Sequence, residues 1–283
     1  MAAGRNETLM MGAVAYDAKV VTIWDGFREW FRAEGLPFDY VLYSNYERQV
    51  EALAGGEVDV AWNSPLAWVR ARRLCPGAEA VAMRDTDRDL TSVVVVRDDS
   101  GIESVADLAG RRVGVGAVDS PQATLLPIWH LRRSGAGGFE AVHHQVGVGK
   151  HGDHVGGERA AARALVEGRV DAACMIDGNS LLFAREGTLP PGATRVLTQT
   201  PVYDHCNFTA VAGAVPPDLV KEFTRLLLAM SYDDPDVRPL LDLEGLKAWR
   251  PGRTSGYGPL EEAVGEQGFY GPDGSVTAEG YEP

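Results

Sequence analysis

A ten-residue pattern occurs twice in this chain, at a constant offset of 112 positions. Ala52-Leu53-Ala54-Gly55-Gly56-Glu57-Val58-Asp59-Val60-Ala61 and Ala164-Leu165-Val166-Glu167-Gly168-Arg169-Val170-Asp171-Ala172-Ala173 agree at six of ten positions. The shared form is Ala-Leu-x-x-Gly-x-Val-Asp-x-Ala. In each copy a helix should end at the glycine, the residue that best tolerates the left-handed backbone of a helix end, and a β-strand should follow. Each copy sits at the same point of a strand–helix series, so the repeat predicts a duplicated lobe.

Hydrophobic periodicity extends that reading along the chain. Strands are expected over 10–15, 38–43, 58–62, 92–97 and 111–116, and helices over 20–34, 46–54, 122–133, 158–167 and 217–230. Strands alternating with amphipathic helices give an α/β fold with largely parallel strands. The expected division is 1–94 for lobe 1, 95–204 for lobe 2, and 205–283 for the return to lobe 1 and a tail, with crossovers near 91–98 and 203–211. Two such lobes leave a ligand cleft. Ligands of open α/β sheets lie beyond the carboxyl ends of the strands, so the loops Asn63-Ser64-Pro65 and Ile176-Asp177-Gly178-Asn179 should face it.

Charge narrows the partners. A net charge of −13 lacks the cationic surface that nucleic-acid binding draws on. No stretch approaches the ~18 apolar residues of a membrane span. The amino terminus, MAAGRNETLMMGAVAYD, has no basic start followed by a long apolar stretch and cleavage site, and no cysteine precedes Cys75. The expected location is therefore cytoplasmic. Cys75, Cys174 and Cys206 are too few and too scattered for a disulfide framework.

Several segments together resemble the phosphate/phosphonate-type solute-binding proteins of ABC importers, in the type 2 periplasmic-binding-protein fold. They are the opening strand with Tyr16, VDVAWNSP (58–65), SVADLAGRRVGVG (104–116), DSPQATLLP (119–127), His151 and GRVDAACMID (168–177). The resemblance covers roughly residues 8 to 235. It implies two lobes, a small anionic or zwitterionic ligand and, for an exported protein, a permease partner. It also implies that Ser120 and Thr124 hold ligand oxygens at a helix amino terminus. Pro121, Gln122 and Ala123 depart from the commoner Ser/Thr-Ser-Gly pattern there.

The residues support an anion site in their own right. Asp119-Ser120-Pro121 before a helix offers backbone N–H groups and a hydroxyl at the positive end of the helix dipole. The same residues would also serve as a plain helix cap, with Pro121 in the first turn. The expected ligand-binding set is Tyr16, Asp17, Tyr46, Asn63, Ser64, Asp119, Ser120, Gln122, Ala123, Thr124, His151, Asp177 and His205.

Four of the six histidines fall in HHQVGVGKHGDH (143–154), and His205 stands beside Cys206. His151, His154 and His205 could converge on a divalent metal, although the glycines around the first two give no rigid spacing. In a strand, adjacent residues face opposite ways, so His205 and Cys206 are not expected to touch. An enzyme on the same fold, a lyase, decarboxylase or metal-dependent catalyst, is the alternative reading, with His151, His205 and Asp177 as its catalytic groups. The run Arg70, Arg72 and Arg73 reads as a solvated helix face, and Trp68 as core.

Overall fold

A computed structural model describes residues 8–283. In chain order the first strands are β1 (Leu9–Val14), β2 (Phe38–Tyr43), β3 (Val60–Asn63) and β4 (Ala78–Arg84). They alternate with α1 (Lys19–Ala33), α2 (Tyr46–Gly55) and α3 (Pro65–Leu74). There follow β5 (Ser92–Arg97), β6 (Arg112–Val115), α4 (Leu126–Arg133), β7 (Glu140–His143), α5 (Gly156–Val166), β8 (Ala172–Ile176), α6 (Asp177–Arg185) and β9 (Thr194–Gln199). The chain ends with β10 (Asn207–Val211), α7 (Pro217–Ala229), α8 (Arg238–Glu244), β11 (Trp249–Pro251) and α9 (Gly258–Gln267).

These elements form two compact units. The first takes the chain up to Arg88 together with His205–Ser255, and the second takes Asp89–Asp204 together with Gly256–Pro283. The tail beyond Ser255 therefore belongs with the second unit, not with lobe 1 as expected. The reason is packing: α9 lies on α4, and Gln267 donates to the carbonyl of Leu125 at 2.8 Å. The chain changes unit three times, where two crossovers were expected. Strand β5 lies wholly in the second unit and β10 wholly in the first.

The first unit holds a six-stranded sheet in the order β11-β4-β10-β3-β1-β2, the second a five-stranded sheet in the order β7-β6-β8-β5-β9. Both are mixed rather than largely parallel. β3 runs parallel to β1 and antiparallel to β10, and β8 runs parallel to β6 and antiparallel to β5. The two copies of the repeat thus end in topologically equivalent strands. Each copy ends its helix the same way: Gly56 (φ 71°) and Gly168 (φ 72°) are left-handed, and Glu57 and Arg169 donate back to Ala52 and Ala164 at 2.9 and 2.8 Å.

An aromatic cluster fills the first unit. Trp24, Phe27, Phe31, Phe38, Trp62, Phe208, Phe223 and Trp249 pack on one another, with neighbouring ring centroids 4.7–6.4 Å apart. In the second unit both faces of the sheet are covered. Val93 and Val95 face α5, while Val94 and Val96 face Val113, Val115 and Leu131. Burial on both faces explains why β5 is an unbroken valine run rather than an alternating one. Arg70 is a correction to the solvated face: it is buried, donating to the Glu47 carbonyl at 2.7 Å and to Glu51 at 2.8 Å. Among the described residues no helix is long and apolar enough to cross a membrane. Residues 1–7, on which part of the export reading falls, lie outside the described residues.

Candidate functional site

In the second unit, β6, β7 and β8 are parallel neighbours, so the loops that leave them emerge at one end of the sheet. Those loops carry Asp119–Thr124, His144–His154 and Asp177. Pro121–Leu125 forms a π-helical turn that runs straight into α4. Ser120 caps it, with its hydroxyl oxygen accepting from the Ala123 N–H at 3.2 Å. The capping role is therefore the one seen here, at the amino terminus of the turn that leads into α4. Thr124 is turned inward: its hydroxyl donates to the Ala117 carbonyl at 2.7 Å.

Asp119 is fully buried and organises the glycine-rich loop. Its Oδ2 accepts the backbone N–H groups of Gly149 at 2.7 Å and His151 at 3.0 Å. Burial raises the Asp119 carboxyl above the usual carboxylate range, against the opposing pull of His151 and of those two N–H groups. Gln122 joins the same loop by donating from Nε2 to the Gly152 carbonyl at 2.7 Å. His151 is buried with φ 49°, a left-handed backbone that non-glycine residues adopt at a cost, and such strain gathers at functional sites. The hydroxyl of Tyr281, from the tail, lies 3.5 Å from its Nε2.

His154 is exposed, and its Nδ1 accepts from Gly156 N–H at 3.1 Å. The Asp177 carboxylate accepts from the Thr91 hydroxyl at 3.0 Å and from the Gly178 N–H. A surface groove of about 340 Å³ opens elsewhere on the unit, between α4, β7 and the tail. It touches Thr124 but none of Asp119, Ser120, Gln122 or His151.

In the first unit, the carboxyl ends of β1, β2 and β3 and the amino end of β10 fall at one end of the sheet. Tyr16, Asp17, Tyr46, Asn63, Ser64 and His205 sit there. Several are structural anchors. Asp17 is exposed and accepts from the Lys19 N–H at 2.9 Å, and Ser64 caps α3 through the Ala67 N–H. The Asn63 amide is held between Gln49 and Thr209, at 2.8 and 2.9 Å. Tyr46 is buried, and Tyr16 is half-buried beneath the Lys19 ammonium.

His205 and Cys206 do touch, which corrects the strand argument. His205 Nδ1 lies 3.1 Å from Cys206 Sγ, because the pair precedes β10 and escapes the alternation of extended backbone. The same Nδ1 lies 3.5 Å from Asp87. A nucleophile–base–orienter relay needs the two ring nitrogens on different partners, and here Cys206 and Asp87 share one. Asp87, His205 and Cys206 are the group of described residues whose donor atoms approach closely enough for a metal. They do not fit one, since the Arg84 guanidinium already grips both Asp87 oxygens at 2.5 and 2.9 Å. The expected metal trio is divided, with His205 in the first unit and His151 and His154 in the second.

The sequence pattern of the ABC transporter phosphonate periplasmic substrate-binding proteins matches residues 12–257. The chain belongs to this family. It is 23% identical over 235 residues to a probable ABC transporter phosphite-binding protein, PhnD1, of Prochlorococcus marinus strain MIT 9301, covering 79% of this chain and 76% of that protein. The crystal structure of PhnD1 with methylphosphonate superposes with a TM-score of 0.69 at 18% identity, over 92% of this chain and 98% of that one. XAC2383 of Xanthomonas citri, solved with chloride, gives a TM-score of 0.72 at 19% identity over the same shares. The fold is thus that of the type 2 periplasmic binding proteins, as the second-lobe entry SVADLAGRRVGVG led us to expect.

Within the family, the departures at Pro121, Gln122 and Ala123 now have a structural counterpart. Gln122 ties the turn to Gly152. Pro121 starts the π-helical turn and brings no N–H of its own. Sequence reasoning missed the roles of Tyr281 and Arg84. Tyr281 lies 130 positions from His151, and Arg84, besides gripping Asp87 three residues on, reaches Glu244 160 positions away. No local periodicity marks such contacts.

Proposed function

We propose that the chain is the solute-binding component of an ABC-type importer for a small anionic or zwitterionic metabolite that is phosphonate-, phosphate- or carboxylate-like. The family match over residues 12–257 carries this reading. The second unit adds chemistry that suits it: the Ser120 hydroxyl and the positive end of the helix running through α4 favour negative charge. His151 stands at the same end of the sheet. The relative PhnD1 is described as a phosphite-binding protein and was solved with methylphosphonate. We carry that ligand class here as a proposal.

Calorimetric titration with phosphate, phosphite, methylphosphonate, methanesulfonate and acetate tests it. We expect saturable one-to-one binding of at least one phosphorus oxoanion, with a rise in Tm, because a ligand bound by the native state alone stabilises it by about 2.7 kcal/mol at a hundredfold excess over Kd. No heat and no Tm shift with any of the five would remove the reading. A permease is the partner in a protein that reaches the outer face of the membrane. Fractionating the native host cell decides between that location and the cytoplasmic one read from the amino terminus.

A further inference from the structure

The family pattern ends at residue 257, yet the chain beyond it reaches back to the loops at the end of the second sheet. It does so as a built structure. After α9, Tyr270 pairs with Val276 across a tight turn in which the Gly271 N–H donates to the Ser275 carbonyl at 2.8 Å. Thr277 closes that turn against the end of α9. Its N–H donates to the Phe269 carbonyl at 3.0 Å, and its hydroxyl to the Gly268 carbonyl at 2.7 Å. Tyr281 then folds back onto Phe269, with ring centroids 4.9 Å apart, and both rings are buried.

Two contacts run from this tail to the loops. Gln267 donates to the carbonyl of Leu125, the last residue of the π-helical turn. The Tyr281 hydroxyl stands 3.5 Å from His151 Nε2, in the glycine-rich loop that Asp119 and Gln122 tie to that turn. The loop lies hard against Ser120, since a Cβ on Gly152 would stand 2.4 Å from the Ser120 hydroxyl oxygen.

His151 needs such a hold. It is wholly buried at φ 49°, a strained backbone that persists only where its surroundings over-determine it. Asp119 takes the His151 N–H and Gln122 the Gly152 carbonyl, which fixes the main chain but not the imidazole. A partner on one ring nitrogen sets the tautomer and the orientation of the ring. A tyrosine hydroxyl suits that task, because it donates or accepts as the tautomer requires. A separation of 3.5 Å is the outer limit of such a bond, and contacts of this length in binding sites often shorten when the ligand is bound.

We infer that Tyr281 is a positioning residue, which from beyond the family pattern orients the His151 ring for the bound anion. This rests on the proposed function in one respect, that the ligand meets His151 beside the Ser120 turn. The test uses the full chain with methylphosphonate as the probe. Tyr281→Phe keeps the ring on Phe269 and removes the hydroxyl alone. It should weaken methylphosphonate binding in calorimetry by about fivefold, the worth of one net hydrogen bond. In nitrogen-resolved imidazole NMR spectra at alkaline pH, His151 should show one dominant tautomer in the wild type and a mixture in Tyr281→Phe, with the remaining histidine rings unchanged. Thr277→Val is the control. It removes another hydroxyl bond of the tail, and should lower Tm without changing the affinity or the His151 spectrum.

A folded Tyr281→Phe protein that binds methylphosphonate as the wild type does, or whose His151 ring keeps its tautomer, would overturn the inference and leave the importer reading standing. An equal loss of affinity in Thr277→Val would overturn it too, reducing Tyr281 to general support of the tail. Wild-type protein that binds none of the five anions would remove the importer reading, and the His151 spectrum would then decide the positioning role by itself.

Discussion

Asp171 and Arg112 bond to each other twice. The Asp171 N–H donates to the Arg112 carbonyl at 2.7 Å, and Asp171 Oδ2 accepts the Arg112 N–H at 2.9 Å. In the first unit Asp59 does the same to Met10, at 2.8 Å in both directions. The aspartate that the repeat keeps is therefore a brace that pins the start of the repeat strand to the parallel strand beside it, β1 in one sheet and β6 in the other.

Removing either brace should be costly in equal measure. A carboxylate accepting from a backbone N–H contributes about 1.5–3 kcal/mol, less where the group is partly exposed. Asp59→Ala and Asp171→Ala should each lower stability by about 1–2 kcal/mol in urea unfolding, and Asn at either site by less. Alanine variants as stable as the wild type would show that the brace contributes nothing.

Asp87 gives the first unit an acid-sensitive joint. Burial pushes its carboxyl up, but the Arg84 guanidinium outweighs this, with help from His205, and holds it at about 2. A carboxyl lowered on folding contributes stability that is whole above its unfolded value, near 3.8, and is lost as pH falls towards about 2. The wild type should lose Tm steeply between those values. Asp87→Asn, which removes one of Arg84's two buried carboxylate partners and leaves Glu244 as the other, should be less stable by about 3 kcal/mol at neutral pH and lose less on acidification. Parallel slopes for the two proteins from pH 5 to 2 would refute this.

Gly152 cannot accept a side chain. Its φ is +75°, and a Cβ would stand 2.4 Å from Ser120 Oγ and 2.6 Å from Gln122 Nε2. Gly152→Ala should shift the loop, lower Tm and weaken binding at the Ser120 turn. Gly137→Ala, with nothing within 4 Å, is the control and should leave both unchanged.

The thiols should be silent in the folded protein. Cys75, Cys174 and Cys206 are all buried and unbridged, and burial raises the Cys75 and Cys174 thiols above their ordinary range. Titration with a thiol reagent at pH 8 should be slow in buffer and reach three equivalents in denaturant. Rapid labelling in buffer would contradict this burial.

The sequence was most informative where a physical period or a helix terminus leaves a local mark. The ends at Gly56 and Gly168, the buried valine run of β5 and the cap at Ser120 were all readable from a few neighbouring residues. The tail was not, because α9 is tied to α4 by contacts such as Gln267 with Leu125, 142 positions apart. The same holds for Tyr281 with His151. The error at His205 and Cys206 had another source, since the alternation rule was extended past the start of β10. At the Asp119 turn the residues were legible but the polarity was not: only the hydrogen-bond partners reveal that the donors are already taken.

The threefold crossing of the chain sets an order of completion during synthesis. Every strand of the second sheet lies between Ser92 and Gln199, so that sheet has all its parts once Gln199 has emerged. The first sheet begins earlier and finishes later. Its β3 waits for β10, whose Thr209 bonds Asn63 across 146 residues. At about 5–20 residues per second, that wait is roughly 7 to 30 s. Over that interval the nascent first unit carries an unpaired strand edge, the surface most prone to pair with the wrong chain. The sheet encoded inside the other is the one finished first.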